Sequence, residues 1–259
     1  MQPRTRRAVR GFIGGVVLFG ILELITRAEL VNPTYLPPAS TIVATAGGML
    51  VDPEFLANVG ATLLAWSIGM LVAMAIAIPL GLVLGSSHRT YLASTTAIEL
   101  LRPIPSVALI PLVILLLGRG LDMRVVVIAF AAVWPILFNT IYGIRGVDPM
   151  ATDTARAYGL GRASILWNVS LRAASPFIYT GIRLSAAIAL ILAVSTELIA
   201  GGGRGIGTWM IANSETGVPR ELLYAGIVVT GLIGLLMNTL LVAGERRWFR
   251  WDHRVRGAR

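Results

Sequence analysis

The stretch Asp153-Thr-Ala-Arg-Ala-Tyr-Gly159-Leu-Gly161-Arg-Ala-Ser-Ile165-Leu-Trp-Asn-Val169-Ser-Leu171-Arg-Ala-Ala-Ser-Pro176 is polar and amphipathic, and it lies between two long apolar runs, 125–144 and 177–200. Asp148 is placed to N-cap a short helix, with Pro149 in its first turn, that runs through Ala151, Ala155 and Tyr158. Gly159 then supplies the left-handed or close-approach position that ends it. A second amphipathic set of turns follows, with Ile165, Leu166 and Val169 on one face, and Pro176 introduces the next apolar helix. The expected product is a compact knob of two short helices meeting at a glycine. Its small residues Ala155 and Ala157 would admit close approach of another surface, and Tyr158 is an aromatic anchor of the kind that interfaces favour. The competing reading is an amphipathic helix lying in a membrane interface.

Outward from the knob the chain is apolar. Hydrophobic residues make up 56% of the 259 and charged residues only 14%. Several runs reach the ~20 residues needed to cross a ~30 Å hydrocarbon core. The best are 12–30, 59–84, 100–117, 125–144, 177–200 and 222–244. This predicts an all-α polytopic membrane protein of about six transmembrane helices, a single domain over 1–259. Glu23 interrupts the first run, and Pro103, Pro105 and Pro111 break the third, which a membrane helix tolerates only where neighbours satisfy the freed carbonyls.

A net charge of +9 suggests nucleic acid until the charges are placed. All 22 basic residues are arginine. With the N-terminus inside, arginines 4, 6, 7, 10, 89, 145, 156, 162, 172, 246, 247, 250, 254, 256 and 259 are cytoplasmic, fifteen against the four acids 148, 153, 245 and 252. The outer loops hold arginines 27, 119, 124, 204 and 220, five against the six acids 29, 52, 54, 122, 215 and 221. That asymmetry puts both termini in the cytoplasm, with basic tails over 1–10 and 245–259. The tails read as topology determinants attracted to anionic lipid, and nucleic acid is not expected as a partner. The apolar run behind the basic tip reads as a retained first helix.

Several chemistries lack their residues. There is no cysteine for a disulfide or thiolate site, and the two histidines, His88 and His253, are far apart in polar segments, so no metal site is expected. No H-E-x-x-H, no G-x-S-x-G and no carboxylate pair at helical spacing within a span is present, so no catalytic residue is assigned. A P-loop needs a lysine to reach the β- and γ-phosphates, and the chain has none. The run Gly201-Gly-Gly-Arg-Gly-Ile-Gly207 lacks that lysine and reads as a tight outer turn. The chain cannot be its own ATPase by that mechanism.

The knob resembles the cytoplasmic coupling loop of the permease subunits of ABC importers, E-A-A-x-x-x-G followed by about nine residues and I-x-L-P. Asp153, Ala155 and Gly159 fall on its first half, and Val169 and Leu171 on its second. Leu36-Pro-Pro-Ala-Ser, Leu101-Arg-Pro-Ile-Pro-Ser-Val-Ala-Leu-Ile-Pro111-Leu, Trp134-Pro-Ile-Leu-Phe-Asn-Thr140 and Gly143-Ile-Arg-Gly-Val-Asp-Pro149 look like the nitrate, sulfonate, taurine and bicarbonate branch of that family. The chain departs from the pattern at two places: the leading glutamate is Asp153, and the expected proline after Leu171 is Arg172.

The resemblance implies a type I ABC importer permease fold in a bacterial plasma (inner) membrane. It implies an ATPase-coupling loop within about 146–176 that uses Asp153, Ala155, Arg156, Ala157, Tyr158, Gly159, Ile165 and Val169. It also implies separate ATPase subunits carrying ATP and Mg, a second permease copy, and an extracytoplasmic binding protein. No cofactor is expected on this chain. The implied solute is a small oxyanion or organosulfonate; an aromatic or heterocyclic solute, or a secondary transporter, is the alternative.

Charges within spans point to the path, because burial of a charge at a helix centre costs ~2.5–3.5 kcal/mol and those retained usually face water or a partner. The candidates are Glu23, Glu99, Arg102, Arg183 and Glu197. The substrate-pathway set adds Pro105, Ser106, Asn139, Thr140 and Ser195 to Glu197.

Overall fold

Asp52 and Pro53 open the longest helix: the Asp52 carboxylate accepts the Glu54 N–H at 3.0 Å, and Pro53 occupies the position whose N–H would be orphaned. In the computed structural model, which describes residues 3–32, 35–215, 220–249 and 251, this helix is α3 (Pro53–Ser86). It follows α1 (Pro3–Arg27) and α2 (Ala39–Met49) and precedes α4 (His88–Leu101), a 3-10 turn (Ser106–Leu109) and α5 (Ile110–Leu117). Then come α6 (Leu121–Arg145), α7 (Pro149–Ala157), α8 (Arg162–Ile165), a π turn (Leu166–Ser170), α9 (Leu171–Ala200), α10 (Ile206–Glu215) and α11 (Glu221–Trp248). The described residues contain no strand.

Among the described residues four helices are long and apolar enough to cross a membrane: α3, α6, the continuous stretch Arg162–Ala200 and α11. A fifth span results if α4 and Ser106–Leu117, which meet at 74°, are taken together. The sequence placed that span at 100–117, and here the structure corrects it. Pro103 and Pro105 have no N–H to carry the hydrogen-bond ladder on, so α4 stops at Leu101, with Arg102 still in the helical region and its N–H on the Ile98 carbonyl at 2.9 Å. The helix instead reaches back to His88, where the Ser87 hydroxyl accepts the Thr90 N–H at 3.4 Å.

The expected first span, 12–30, overlaps α1, which ends at Arg27 and is not among these apolar helices; its Ile13, Val16, Leu18 and Leu24 are exposed and it touches the bundle chiefly through α2. Glu23 explains itself there. Its carboxylate accepts the Ser40 N–H at 2.9 Å, the Ser40 hydroxyl at 2.8 Å and the Arg27 Nε–H at 2.6 Å. It thus caps the start of α2 from another helix and ties the two together. Of the basic tails, residues 1–2, 250 and 252–259 lie outside the described residues.

The centre of the bundle is α3 against α6 against α9. On α3 the residues Gly69, Ala73, Ala77, Gly81 and Gly85 recur every fourth position, a row of small side chains that lets two backbones approach. A Cβ at Gly81 would lie 2.6 Å from Thr140 Cβ, and one at Gly69 2.5 Å from Ile128 Cγ2. Two further bonds cross the helices: the Trp66 indole N–H donates to the Ala186 carbonyl at 2.9 Å, and the Ser185 hydroxyl to Ala132 at 2.6 Å. Gly81→Val should therefore lower the thermal unfolding midpoint in detergent, overpacking of this kind costing about 1–3 kcal/mol. Gly60→Val on the same helix, where nothing lies within 4 Å of the new Cβ, should change it little. Equal midpoints for the two variants would refute the seam.

Candidate functional site

The knob is built as a closed unit. The Asp148 carboxylate accepts the Met150 N–H at 2.9 Å, with Pro149 in the first turn. At the other end Gly159 has φ +79, its N–H donates to the Arg156 carbonyl at 2.8 Å, and the Leu160 N–H reaches back to Ala155 at 3.1 Å. Those two bonds and a left-handed glycine form a Schellman closure, which fixes where α7 ends.

Two details differ from the sequence reading. The second short helix is not separate: α8 passes through the π turn directly into α9, and Pro176 sits inside α9. The helix survives the proline because the Ser175 hydroxyl donates at 2.8 Å to the Arg172 carbonyl, the group that Pro176 leaves without its N–H. Ala155 also faces inward. With 9% exposure it packs toward the bundle together with Ile165 at 6%, and Val169 is half-buried. The outward surface belongs to Tyr158, 82% exposed, and to Met150, Ala157 and Trp167. Asp153 and Arg156 are exposed and paired to each other at 2.8 Å. A polar cleft of about 920 Å³ separates the knob from the Gly85-Ser86-Ser87 corner, with Asp153, Arg156 and Arg162 in its walls.

At the opposite end of the bundle a buried cluster ties a loop down. Glu197, fully buried on α9, accepts the Thr62 hydroxyl at 2.9 and 3.0 Å, the Gly207 N–H at 2.9 Å and an Arg124 Nη1–H at 3.3 Å. Arg124 continues to the carbonyls of Arg204, at 2.6 Å, and Gly202. Asn58 Oδ1 and Thr62 Oγ1 accept the N–H groups of Gly205 and Ile206, both at 2.9 Å. The glycine run is thus a strap held by four side chains from three helices, and Gly205 lies so close to the Glu197 carboxylate that no Cβ fits. Arg124, assigned by its sequence position to an outer loop, is 4% exposed in the first turns of α6 and serves as the counter-ion of Glu197. Nothing in the spacing of residues 58, 62, 124 and 197 signals this; only the rarity of a mid-chain Thr-Glu in an apolar helix hints at it.

The six pathway candidates are not brought together. Thr140 is fully buried at the α3–α6 seam, with its hydroxyl on the Ile136 carbonyl at 2.7 Å. Asn139 bonds the Pro135 carbonyl at 2.8 Å and borders α9 near Gly181. Pro105 and Ser106 lie at the break between α4 and α5, Ser195 is half-buried on α9, and Glu197 is in the cluster just described. None of the six lines the knob cleft, an apolar 260 Å³ groove between α9 and α11, or the 540 Å³ cleft beside the glycine strap. Of the other span charges, Arg183 pairs with Glu245 at 2.6 Å across α9 and α11, and Arg102 lies over the Phe138 ring at 4.8 Å.

The fold is a helical bundle with several apolar spans and a polar knob between two of them. Residues 77–250 match the family of binding-protein-dependent transport system inner membrane components, and the chain belongs to that family. The Escherichia coli (strain K12) taurine transport system permease protein TauC is 29% identical over 260 residues, covering 98% of this chain and 93% of its own. A Bacillus subtilis (strain 168) permease protein, SsuC, which is assigned by inference to aliphatic sulfonates transport, is 30% identical over 249 residues, 96% of this chain and 90% of that one. Among solved structures, the MetNI methionine ABC transporter in inward facing conformations aligns with a TM-score of 0.65 at 17% identity, over 74% of this chain and 94% of that one. That alignment places the fold with the type I importer permeases.

Proposed function

We propose that this chain is the transmembrane subunit of an ATP-driven, binding-protein-dependent importer of a small oxyanion or organosulfonate. The observation that carries the reading is the knob: a capped, Schellman-closed helix that presents Tyr158 and Met150 to solvent between two spans. An interfacial helix would turn such side chains into the bilayer and would need no rigid left-handed stop. ATP and Mg belong to a partner ATPase seated on Asp153, Arg156, Ala157, Tyr158 and Gly159, while Ala155, Ile165 and Val169 anchor the knob from behind. The arginine asymmetry puts the knob and both termini in the cytoplasm and the glycine strap outside, facing an extracytoplasmic binding protein. The apolar exposed faces of α1 and α11 suit lipid and a second copy of the chain. The solute class rests on the relatives, named for taurine and aliphatic sulfonates.

The purified chain alone should hydrolyse no ATP above background. Joined in liposomes with a separate ATPase and a binding protein, it should take up 2-aminoethanesulfonate, ethanesulfonate or nitrate only when ATP is supplied. Robust hydrolysis by the single chain would end the importer reading, and ATP-dependent uptake of none of the three anions would end the solute assignment alone.

A further inference from the structure

Asparagines in the helices of this chain bond back onto their own helix. Asn58, Asn139, Asn168 and Asn213 each donate an amide N–H to the carbonyl four residues earlier, at 2.9, 2.8, 3.0 and 2.8 Å. Asn238 on α11 does not. It is exposed at the edge of the apolar groove between α9 and α11, and among the described residues its amide has no hydrogen bond. The hydroxyls near it on the same helix are satisfied, Thr230 on the Gly226 carbonyl at 2.8 Å and Thr239 on the Leu235 carbonyl at 2.7 Å. Asn238 precedes Trp248, the last residue of the helix, by ten positions. That distance is ~15 Å along the axis, which is the middle of a ~30 Å hydrocarbon core. An amide left without a partner at that depth is costly.

Lipid tails offer it no acceptor. A water-filled path would also wet the rest of the groove, yet Leu190, Ile191, Met237 and Leu241 line it, and the Arg183 side chain there is turned to Glu245. A second copy of the chain supplies what is missing. Copies inserted in one orientation are related by an axis along the membrane normal, so each residue meets its own counterpart at equal depth. A carboxamide is both donor and acceptor, so two Asn238 side chains can exchange N–H···O bonds. There is room for the approach, since a Cβ at Gly231, also on the groove, would meet nothing within 4 Å. We infer that the α9–α11 face packs against the same face of a second copy, with the two Asn238 amides bonded to each other across the two-fold axis. This rests on the second-copy reading above and deepens it by naming the face and the polar contact that fixes its register.

The chain has no cysteine, so Asn238→Cys and Leu236→Cys are single-cysteine variants. Leu236 is 59% exposed and stands ~160° around the helix from Asn238. In the complete importer in liposomes, oxidation with copper phenanthroline should convert most of the Asn238→Cys chain, and little of the Leu236→Cys chain, to a disulfide-linked dimer. In detergent, Asn238→Leu should raise the concentration at which the pair dissociates about three- to tenfold, the range of one or two hydrogen bonds between membrane helices, and Asn238→Gln should keep most of the affinity. A pair that forms without a cross-link at 238, that links equally at both positions, or that Asn238→Leu leaves as tight overturns the inference and leaves the second-copy reading intact. Reaction of Asn238→Cys with a membrane-impermeant thiol reagent would place the groove in a wet path, with the same consequence. A chain that is present singly in the assembled importer ends the second-copy reading as well.

Discussion

Gly159→Val is expected to leave the chain in the membrane at normal abundance while abolishing transport and weakening its hold on the ATPase. A β-branched residue at φ +79 carries a backbone penalty of ~1 kcal/mol or more. Within the chain itself there is room for it, since nothing lies within 4 Å of a Cβ at this position. The damage is therefore local to the Schellman closure, which would have to open, and to whatever surface approaches the glycine from outside. Tyr158→Ala removes the most exposed aromatic side chain of the knob and should weaken association by the ~2 kcal/mol or more typical of a truncated interface anchor. Val51→Ala, 78% exposed at the opposite end of the bundle, serves as the control and should do neither. Co-purification of the ATPase and solute uptake read out all three. Normal transport by both knob variants at wild-type abundance would return the segment to an interfacial helix.

The apolar runs made the membrane class and the helix positions legible because twenty-residue hydrophobicity is a local property. The knob was legible for the same reason: Asp148, Pro149 and Gly159 act within one turn of themselves, and each sits where its chemistry required. What the sequence left unread depends on partners distant in the chain. Glu23 read as a defect in a span because its partner Ser40 lies seventeen residues on, in another helix. Arg124 read as a loop charge because its partner is 73 residues away. The row Gly69, Ala73, Ala77, Gly81 and Gly85 was within reach as a four-residue repeat of small side chains, but it has meaning only once α6 lies against it. The polar span residues Thr140 and Asn139 find partners without leaving their own helix, on the carbonyls of Ile136 and Pro135. Ala155 and Ile165 turned inward because a short helix must bury something to stay on the bundle.

Arg124→Met should be among the most destabilising substitutions in this chain, and its asymmetry with Glu197→Gln tests why. The pair is desolvated on both sides, 4% and 0% exposed, so removal of the cation alone leaves a buried carboxylate whose remaining partners are a threonine hydroxyl and one N–H. Breaking a buried pair in this way costs ~3–5 kcal/mol. Glu197→Gln should cost less, because Arg124 keeps the carbonyls of Gly202 and Arg204 and the amide can still accept from Gly207. The double variant, with neither charge, should recover part of the loss, since replacement of both members of a buried pair is often close to neutral. Thermal unfolding midpoints in one detergent would rank the three, with Arg124→Met lowest. If Arg124→Met unfolds no earlier than Glu197→Gln, the arginine is not compensating a buried charge. In that case its contribution is the pair of hydrogen bonds it donates to the strap carbonyls of Gly202 and Arg204.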